Sequence, residues 1–330
     1  MDSLKNKKGK SPFLSIVVPV YNEEDSLEVL YKEIRESVDR LGKYYEVIFV
    51  DDGSSDGTFD RLKGIMNEDK STGSGSFDLR IIRLSRNFGQ TAAMQVGFDH
   101  ARGGVIVSLD ADLQNDPSDI PMLLKKLEEG YDVVCGWRKD RKDKSLSRVI
   151  PSKVANWLIA RITGVPIHDN GCSLRAYRSA VIKAITLYSD MHRVIPAITT
   201  LVGPRMAEIV VNHRARKWGT SKYGISRTWK VLSDIITIKM LIHFQHRPIL
   251  WFTAFGSIFL LSGLGFGLFS FFLLVQGKGS IVYPAASFLF LSLFGALFAW
   301  GLLGEFIVDI EKTKNRPLDL QAIERAERDT

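Results

Sequence analysis

Residues 14–58 read LSIVVPVYNEEDSLEVLYKEIRESVDRLGKYYEVIFVDDGSSDGT, and their pattern decides the fold. Leu14–Val20 is an apolar run rich in Val, as a strand buried on both faces requires. Leu27, Leu30, Ile34, Val38 and Leu41 follow at three- and four-residue spacing, the stripe of an amphipathic helix. Glu46–Val50 is a second apolar strand, so the segment is a βαβ unit with parallel strands. Leu79–Leu84, Val105–Leu109 and Val133–Cys135 continue the pattern downstream. The expected fold class is α/β, a Rossmann-like, mostly parallel sheet with helices on both faces. Asn67–Phe77, with Ser71, Gly73, Ser74, Gly75 and Ser76, reads as a flexible surface insertion.

Ligands of open α/β sheets bind beyond the carboxyl ends of the strands. The strands here run into Pro19-Val20-Tyr21-Asn22-Glu23, Asp51-Asp52-Gly53-Ser54, Ser85-Arg86-Asn87-Phe88-Gly89 and Asp110-Ala111-Asp112-Leu113-Gln114. One polar end is ordinary turn chemistry; four on one sheet edge describe a site. Asp110 and Asp112 are the sharpest pair, because residues i and i+2 of an extended segment point to one side and can meet one hard cation. The Gln114 carbonyl offers a third oxygen. Mg²⁺ or Mn²⁺ held by carboxylates completes its shell with water and substrate phosphate oxygens, which implies a nucleoside diphosphate. Neither GxxxxGK[ST] nor a GxGxxG after the first strand is present, so ATPase and dinucleotide-reductase chemistry lose their main support.

The chain has 330 residues, 45% hydrophobic and 25% charged, which excludes a disordered polypeptide. The charges are spread unevenly. Ile249–Val275 and Ile281–Gly304 carry no charged side chain over 27 and 24 residues, and about 20 apolar residues cross a bilayer's hydrocarbon layer. A buried helical hairpin is the alternative; the length and the Phe, Leu and Gly content of both runs favour two transmembrane helices. Lys239, Arg247, Lys312, Lys314 and Arg316 flank the pair, whereas the connection between them holds only Lys278, so both termini are expected in the cytoplasm. The expected organisation is a cytoplasmic domain over 1–225, juxtamembrane interfacial helices over 226–248, spans over 249–275 and 281–304, and a cytoplasmic tail over 305–330, at the inner membrane. No apolar core follows the lysines of the first 13 residues, so no signal peptide is expected. Cys135 and Cys172 are too few for a disulfide framework or a zinc site. The net charge of +7 and the basic run Arg138–Arg148 suit anionic headgroups, while no nucleic-acid motif is present.

Together these motifs resemble the GT-A glycosyltransferases of family 2, specifically the polyprenyl-phosphate glycosyltransferases similar to dolichol-phosphate mannose synthase, in their membrane-anchored bacterial branch. The likeness is carried by PVYNEE at 19–24, DDGSSDGT at 51–58, SRNFG at 85–89, DADLQNDP at 110–117, DVVCGWR at 132–138, DNGCSLRAY at 169–177 and HRARKWGTSKYG at 213–224. The resemblance implies that Pro19, Tyr21, Asn22, Glu23, Asp51 and Asp52 hold the nucleoside, that Ala111 lies against the nucleotide, and that Asp110, Asp112 and Gln114 bind Mg²⁺ or Mn²⁺. It implies phosphate contacts for Arg138, Arg214 and Lys222, with Ser221 beside them in a loop, Gly219–Gly224, that could close over the donor. Asn115 and Ser118 stand where the family pattern often has an Asp or His and a Glu.

The chemistry implied is inverting transfer of a hexose, glucose from UDP-glucose first among the sugars, to a polyprenyl phosphate such as undecaprenyl phosphate. GDP-mannose or an aminoarabinose-type donor is the alternative within that chemistry, and a membrane scaffold or lipid-linked sugar translocator the alternative outside it. Asp169 is the carboxylate expected to orient or deprotonate the acceptor, unless it only builds an Asx turn. Arg175 is expected either to bind the acceptor phosphate or to pair with Asp169. The expected partners are nucleotide sugar, polyprenyl phosphate, membrane lipid and a second copy of the chain in a homo-oligomer.

Overall fold

A computed structural model describes residues 11–72, 77–139, 167–187, 191–215 and 247–314. The chain divides into two compact units, Met1–Ile238 and Lys239–Thr330. In the first, the strands are β1 (Leu14–Val20), β2 (Tyr45–Asp51), β3 (Phe77–Arg83), β4 (Val105–Ser108), β5 (Val133–Trp137), β6 (Arg175–Arg178) and β7 (Met206–Val210). They form one seven-stranded sheet in the order β3-β2-β1-β4-β6-β5-β7. β1 pairs in parallel with β2 and β4, β2 with β3, and β5 with β7, whereas β6 runs antiparallel between β4 and β5. The expected mostly parallel α/β sheet is therefore the observed one.

The helices α1 (Leu27–Val38), α2 (Thr58–Thr72), α3 (Gln90–His100), α4 (Ile120–Glu128), α5 (Ser179–Lys183) and α6 (Ile195–Thr199) belong to this unit. The stripe residues Leu27, Leu30, Ile34 and Val38 are all buried against the sheet core, with the side chains of β1 and β2. Gly97 of α3 lies so close to β1 that an added Cβ would stand 2.2 Å from a methyl of Val17, so only glycine fits. Two expectations change. The flexible insertion over Asn67–Phe77 begins as the last turns of α2, and Phe77 is a buried core residue opening β3. β6 and β7 were not legible at all: each is short, and β6 reads RAYR.

The order reverses at β1, whose neighbours are β2 on one side and β4 on the other. The crevice at such a switch point, beyond the carboxyl ends, is where open sheets bind ligands. At the opposite end of the same strands, Glu46 is fully buried and takes hydrogen bonds from Ser15 Oγ at 2.6 Å, the Arg102 amide at 2.6 Å, Arg102 Nε at 3.0 Å and Arg80 Nη1 at 3.1 Å. Burial alone would raise this carboxyl; those bonds outweigh it and hold it below its usual range.

The second unit holds α7 (Pro248–Val275) and α8 (Val282–Lys314). Both contain windows long and apolar enough to cross a membrane, and only 6% of each window is buried, unlike the core helices of a soluble domain. They pack through small residues: Ser287 Oγ donates to the Gly263 carbonyl at 2.7 Å, and Phe266 stacks on Phe290 at 5.6 Å. α8 runs ten residues beyond the span expected from sequence, from Gly304 to Lys314, because Glu305 and its neighbours end the apolar run without ending the helix. The expected interfacial segment up to residue 246 and the tail from 315 lie outside the described residues.

Candidate active site

The first two strand ends are fastened to one another before they can serve a ligand. Asn22 turns the chain after β1 with φ +53°, its amide donates to Ser54 Oγ at 3.0 Å, and its Oδ1 accepts from the Ser55 amide at 2.9 Å. The Glu23 amide donates to Thr58 Oγ1 at 2.9 Å, and Glu24 accepts from the Gly57 amide at 3.0 Å. Asp51 is fully buried at the end of β2; Oδ1 accepts from the Ser54 amide at 3.0 Å, while Oδ2 sits 3.3 Å from Arg83 Nε without making a hydrogen bond. Asp52 spends both oxygens on the third strand end, accepting from the Phe88 and Gly89 amides at 2.8 Å each. Burial raises its carboxyl, against the pull of those two amides. Gly53, at φ +65°, lies against the Arg86 backbone where a Cβ would meet a carbon at 2.5 Å. Of the expected nucleoside contacts, Asn22 and Asp52 thus serve loop architecture, Pro19 is buried within β1, and Tyr21 and Glu23 sit half-buried at its end.

The fourth strand end carries the two aspartates. β4 stops at Ser108, and Asp110–Leu113 is a turn in which Leu113 takes φ +58°, a conformation that non-glycine residues seldom hold. The carboxylates therefore meet through a turn, and not through the extended-strand periodicity expected from sequence. Burial still alternates, with Leu109, Ala111 and Leu113 in the core and Asp110, Asp112 and Gln114 partly open. Ala111 is thus a core methyl. Asp110 Oδ1 accepts from Gln90 Nε2 at 2.7 Å, and Asp112 Oδ1 from the Gln114 amide at 3.1 Å. Burial, then the neighbouring Asp112 charge, push the Asp110 carboxyl up to about 6, against Ser173, Arg138 and Arg175. The Gln114 carbonyl, expected as a metal ligand, accepts the Arg214 amide at 2.8 Å.

Two aspartates crowded at one turn, each with oxygen donors only, fit a hard divalent cation. No cluster of three or more His, Cys, Asp or Glu side chains able to hold a metal occurs among the described residues. The protein's share of such a shell is two carboxylates, which leaves positions for water and substrate phosphate.

Facing this turn is the segment 167–175. Asp169 is 3% exposed and bound bidentately by Arg138, with Nε to Oδ2 at 2.7 Å and Nη2 to Oδ1 at 3.0 Å. The Gly171 amide adds a bond to Oδ1 at 3.1 Å. The partner of Asp169 is therefore Arg138, and Arg175 is held elsewhere. Arg175 opens β6 between Ser108 of β4 and Cys135 of β5, is 1% exposed, and donates to the carbonyls of Asn170 at 2.5 Å and His192 at 3.2 Å. Glu208 on β7 completes the arrangement, accepting from the amides of His168 and Asp169 at 3.1 and 3.0 Å. The same carboxylate lies 2.7 Å from His168 Nδ1, and that ring stacks on Trp137.

His213 and Arg214 reach the site as expected, by a bridge between His213 and Asn115 that lays the chain along the aspartate turn. The Arg214 guanidinium does not face it. Nη1 binds both Glu33 oxygens at 2.7 and 2.8 Å, and Nη2 binds Asp116 at 2.7 Å, so its charge is already matched and it ties the turn to α1. The expected phosphate contact is corrected to this double ion pair. Ser221, Lys222 and the loop around them lie outside the described residues. Sequence reasoning missed Gln90, Glu208 and Asn115, whose Nδ2 donates to Ser173 Oγ at 2.8 Å. Only Asn115 and Gln90, each next to a recognised motif, left a signal.

The profile of glycosyl transferase family 2 matches residues 15–186. The dodecaprenyl-phosphate galacturonate synthase of Rhizobium johnstonii is 45% identical over 79% of this chain and 75% of its own length. The undecaprenyl-phosphate 4-deoxy-4-formamido-L-arabinose transferase of Shewanella sediminis is 40% identical over 89% of this chain and 87% of its own. Among solved structures, the glucosyl-3-phosphoglycerate synthase of Mycobacterium tuberculosis with Mn²⁺, uridine diphosphate and phosphoglyceric acid matches with TM-score 0.53 and 17% identity, over 69% of this chain and 78% of its own, a likeness of fold. A sheet of this order, an aspartate turn at its switch point and these relatives lead to one conclusion: the chain belongs to glycosyl transferase family 2 and is a glycosyltransferase.

Proposed function

We propose that the protein transfers a sugar from a nucleoside diphosphate donor to a polyprenyl phosphate at the cytoplasmic face of the membrane, with Mg²⁺ or Mn²⁺ on Asp110 and Asp112. The observation that carries this reading is the crowding of those two aspartates at the switch-point turn, opposite the Arg138–Asp169 pair. The relatives named for polyprenyl-phosphate transfer support the acceptor class. Their names specify galacturonate and 4-deoxy-4-formamido-L-arabinose, so glucose, the sugar expected from sequence, is one donor in a panel.

The nucleophile needs little help. A phosphate monoester has its second pKa near 6 and is largely a dianion at pH 7. Its oxygen bonds to C1 as the bond from C1 to the diphosphate oxygen breaks, and the electron pair leaves with the nucleotide, inverting C1. The cation would neutralise the departing diphosphate. The chain's own residues place the two anions: Gln90 orients Asp110, Arg138 is fixed by Asp169, and Asp169 is in turn fixed by the Glu208 carboxylate.

Asp112→Asn removes a ligand charge from the turn while the β4 core stays intact. Transfer measured as nucleotide release is expected to fall by at least about a hundredfold, near 3 kcal/mol of lost stabilisation. Wild-type turnover by this variant with either cation would overturn the assignment.

A further inference from the structure

A cavity of about 80 Å³ opens beside Asp110, and its wall includes Gln90, Asn170, Ser173, Arg175, His192 and Arg193. That is room for a small polar group or a few waters and not for a sugar ring. The wall carries hydrogen-bonding capacity that the protein does not use. Arg175 spends two of its five donors on backbone carbonyls, its Nε makes no hydrogen bond, and it forms no ion pair with a carboxylate among the described residues. Asn170 is 2% exposed, and neither its Oδ1 nor its Nδ2 has a hydrogen-bond partner. A buried guanidinium matched only by carbonyls, beside an idle amide, is a costly arrangement unless an anion completes it.

Resting on the sugar-transfer reading above, we propose that this cavity receives a carboxylate borne by the donor sugar, so that the donor is a nucleoside diphosphate hexuronate. Asp110 is both a proposed metal ligand and a wall of the cavity, so a sugar bonded to the metal-held diphosphate stands at the cavity mouth. What enters is then a substituent of the ring. A planar carboxylate matches the fork of Arg175 and accepts from the Asn170 amide. A neutral hydroxymethyl group would leave the guanidinium unmatched, and an ammonium substituent would be repelled by it.

The test uses the full chain in detergent with Mn²⁺ and a short polyprenyl phosphate, comparing UDP-glucuronate and UDP-galacturonate with UDP-glucose and UDP-galactose. At least one hexuronate is expected to exceed both neutral sugars in kcat/KM by about tenfold or more. Arg175→Met and Asn170→Leu are expected to erase that preference while UDP binding, which reports a folded site, persists. Transfer of a neutral sugar as fast as either uronate overturns the inference and leaves the sugar-transfer reading standing; no transfer from any donor overturns both. A rise in KM for polyprenyl phosphate in Arg175→Met, with donor preference unchanged, assigns the cavity to the acceptor phosphate and overturns the inference as well.

Discussion

A carboxylate that accepts N–H bonds on both oxygens is poorly placed to take a proton, and Asp169 accepts from Arg138 Nε and Nη2 and from the Gly171 amide. With an acceptor already ionised, its work is to hold the Arg138 guanidinium where an anion can meet it. Asp169→Asn and Arg138→Gln are each expected to slow transfer by about tenfold or more, and the double variant no further than the worse single one, since one unit is broken either way. Steady-state rates of the four proteins check this, and losses that multiply would give the two residues separate roles. The sequence showed both residues. It could not show that they pair, because 31 positions separate them and nothing in local pattern encodes which arginine an aspartate will find. For the same reason Arg214 read as a free cation, while Glu33 of α1, 181 positions away, neutralises it.

At the scale of elements, β6 does the most to shape the site, inserting antiparallel between β4 and β5 and so carrying Arg175 into the sheet beside the aspartate turn. A four-residue strand of alternating cationic and neutral residues has no periodicity to detect, and its burial comes wholly from its neighbours. β1, β2 and β4 were legible because strands buried on both faces must be apolar throughout. Those strands are joined at their other end by Glu46, whose folded carboxyl titrates below the unfolded value of about 4.3. Its contribution to stability is present in full above that value and is lost as pH falls through the lower, folded one, because the unfolded chain then binds the proton more readily. Glu46→Gln is expected to lower the stability of the first unit at pH 7 by about 1–3 kcal/mol, discounted for the partly exposed Arg80 and Arg102, and to flatten its loss in acid. Denaturation of both proteins between pH 7 and pH 3 measures the difference; parallel curves would remove Glu46 from this role.

For the whole molecule, the proposed orientation places residues 277–280 outside and both termini in the cytoplasm. Cys135 and Cys172 are buried, and burial pushes their thiols up to about 12 and about 11, so an introduced cysteine reacts over a low background. Ser280→Cys is expected to be labelled by an impermeant maleimide from the periplasmic side of intact cells, and labelling only after the inner membrane is opened would reverse the orientation. The sequence by itself determined the βαβ sheet, the two apolar helices and the edge on which the polar residues gather, because these follow from periodicity, run length and turn chemistry, all local properties. The tertiary structure alone decided the turn that brings Asp110 to Asp112, the partners of Asp169 and Arg214, and the cavity around Arg175. Each of those depends on which distant side chain fills the space beside a buried charge, and that is fixed only when the strands pack.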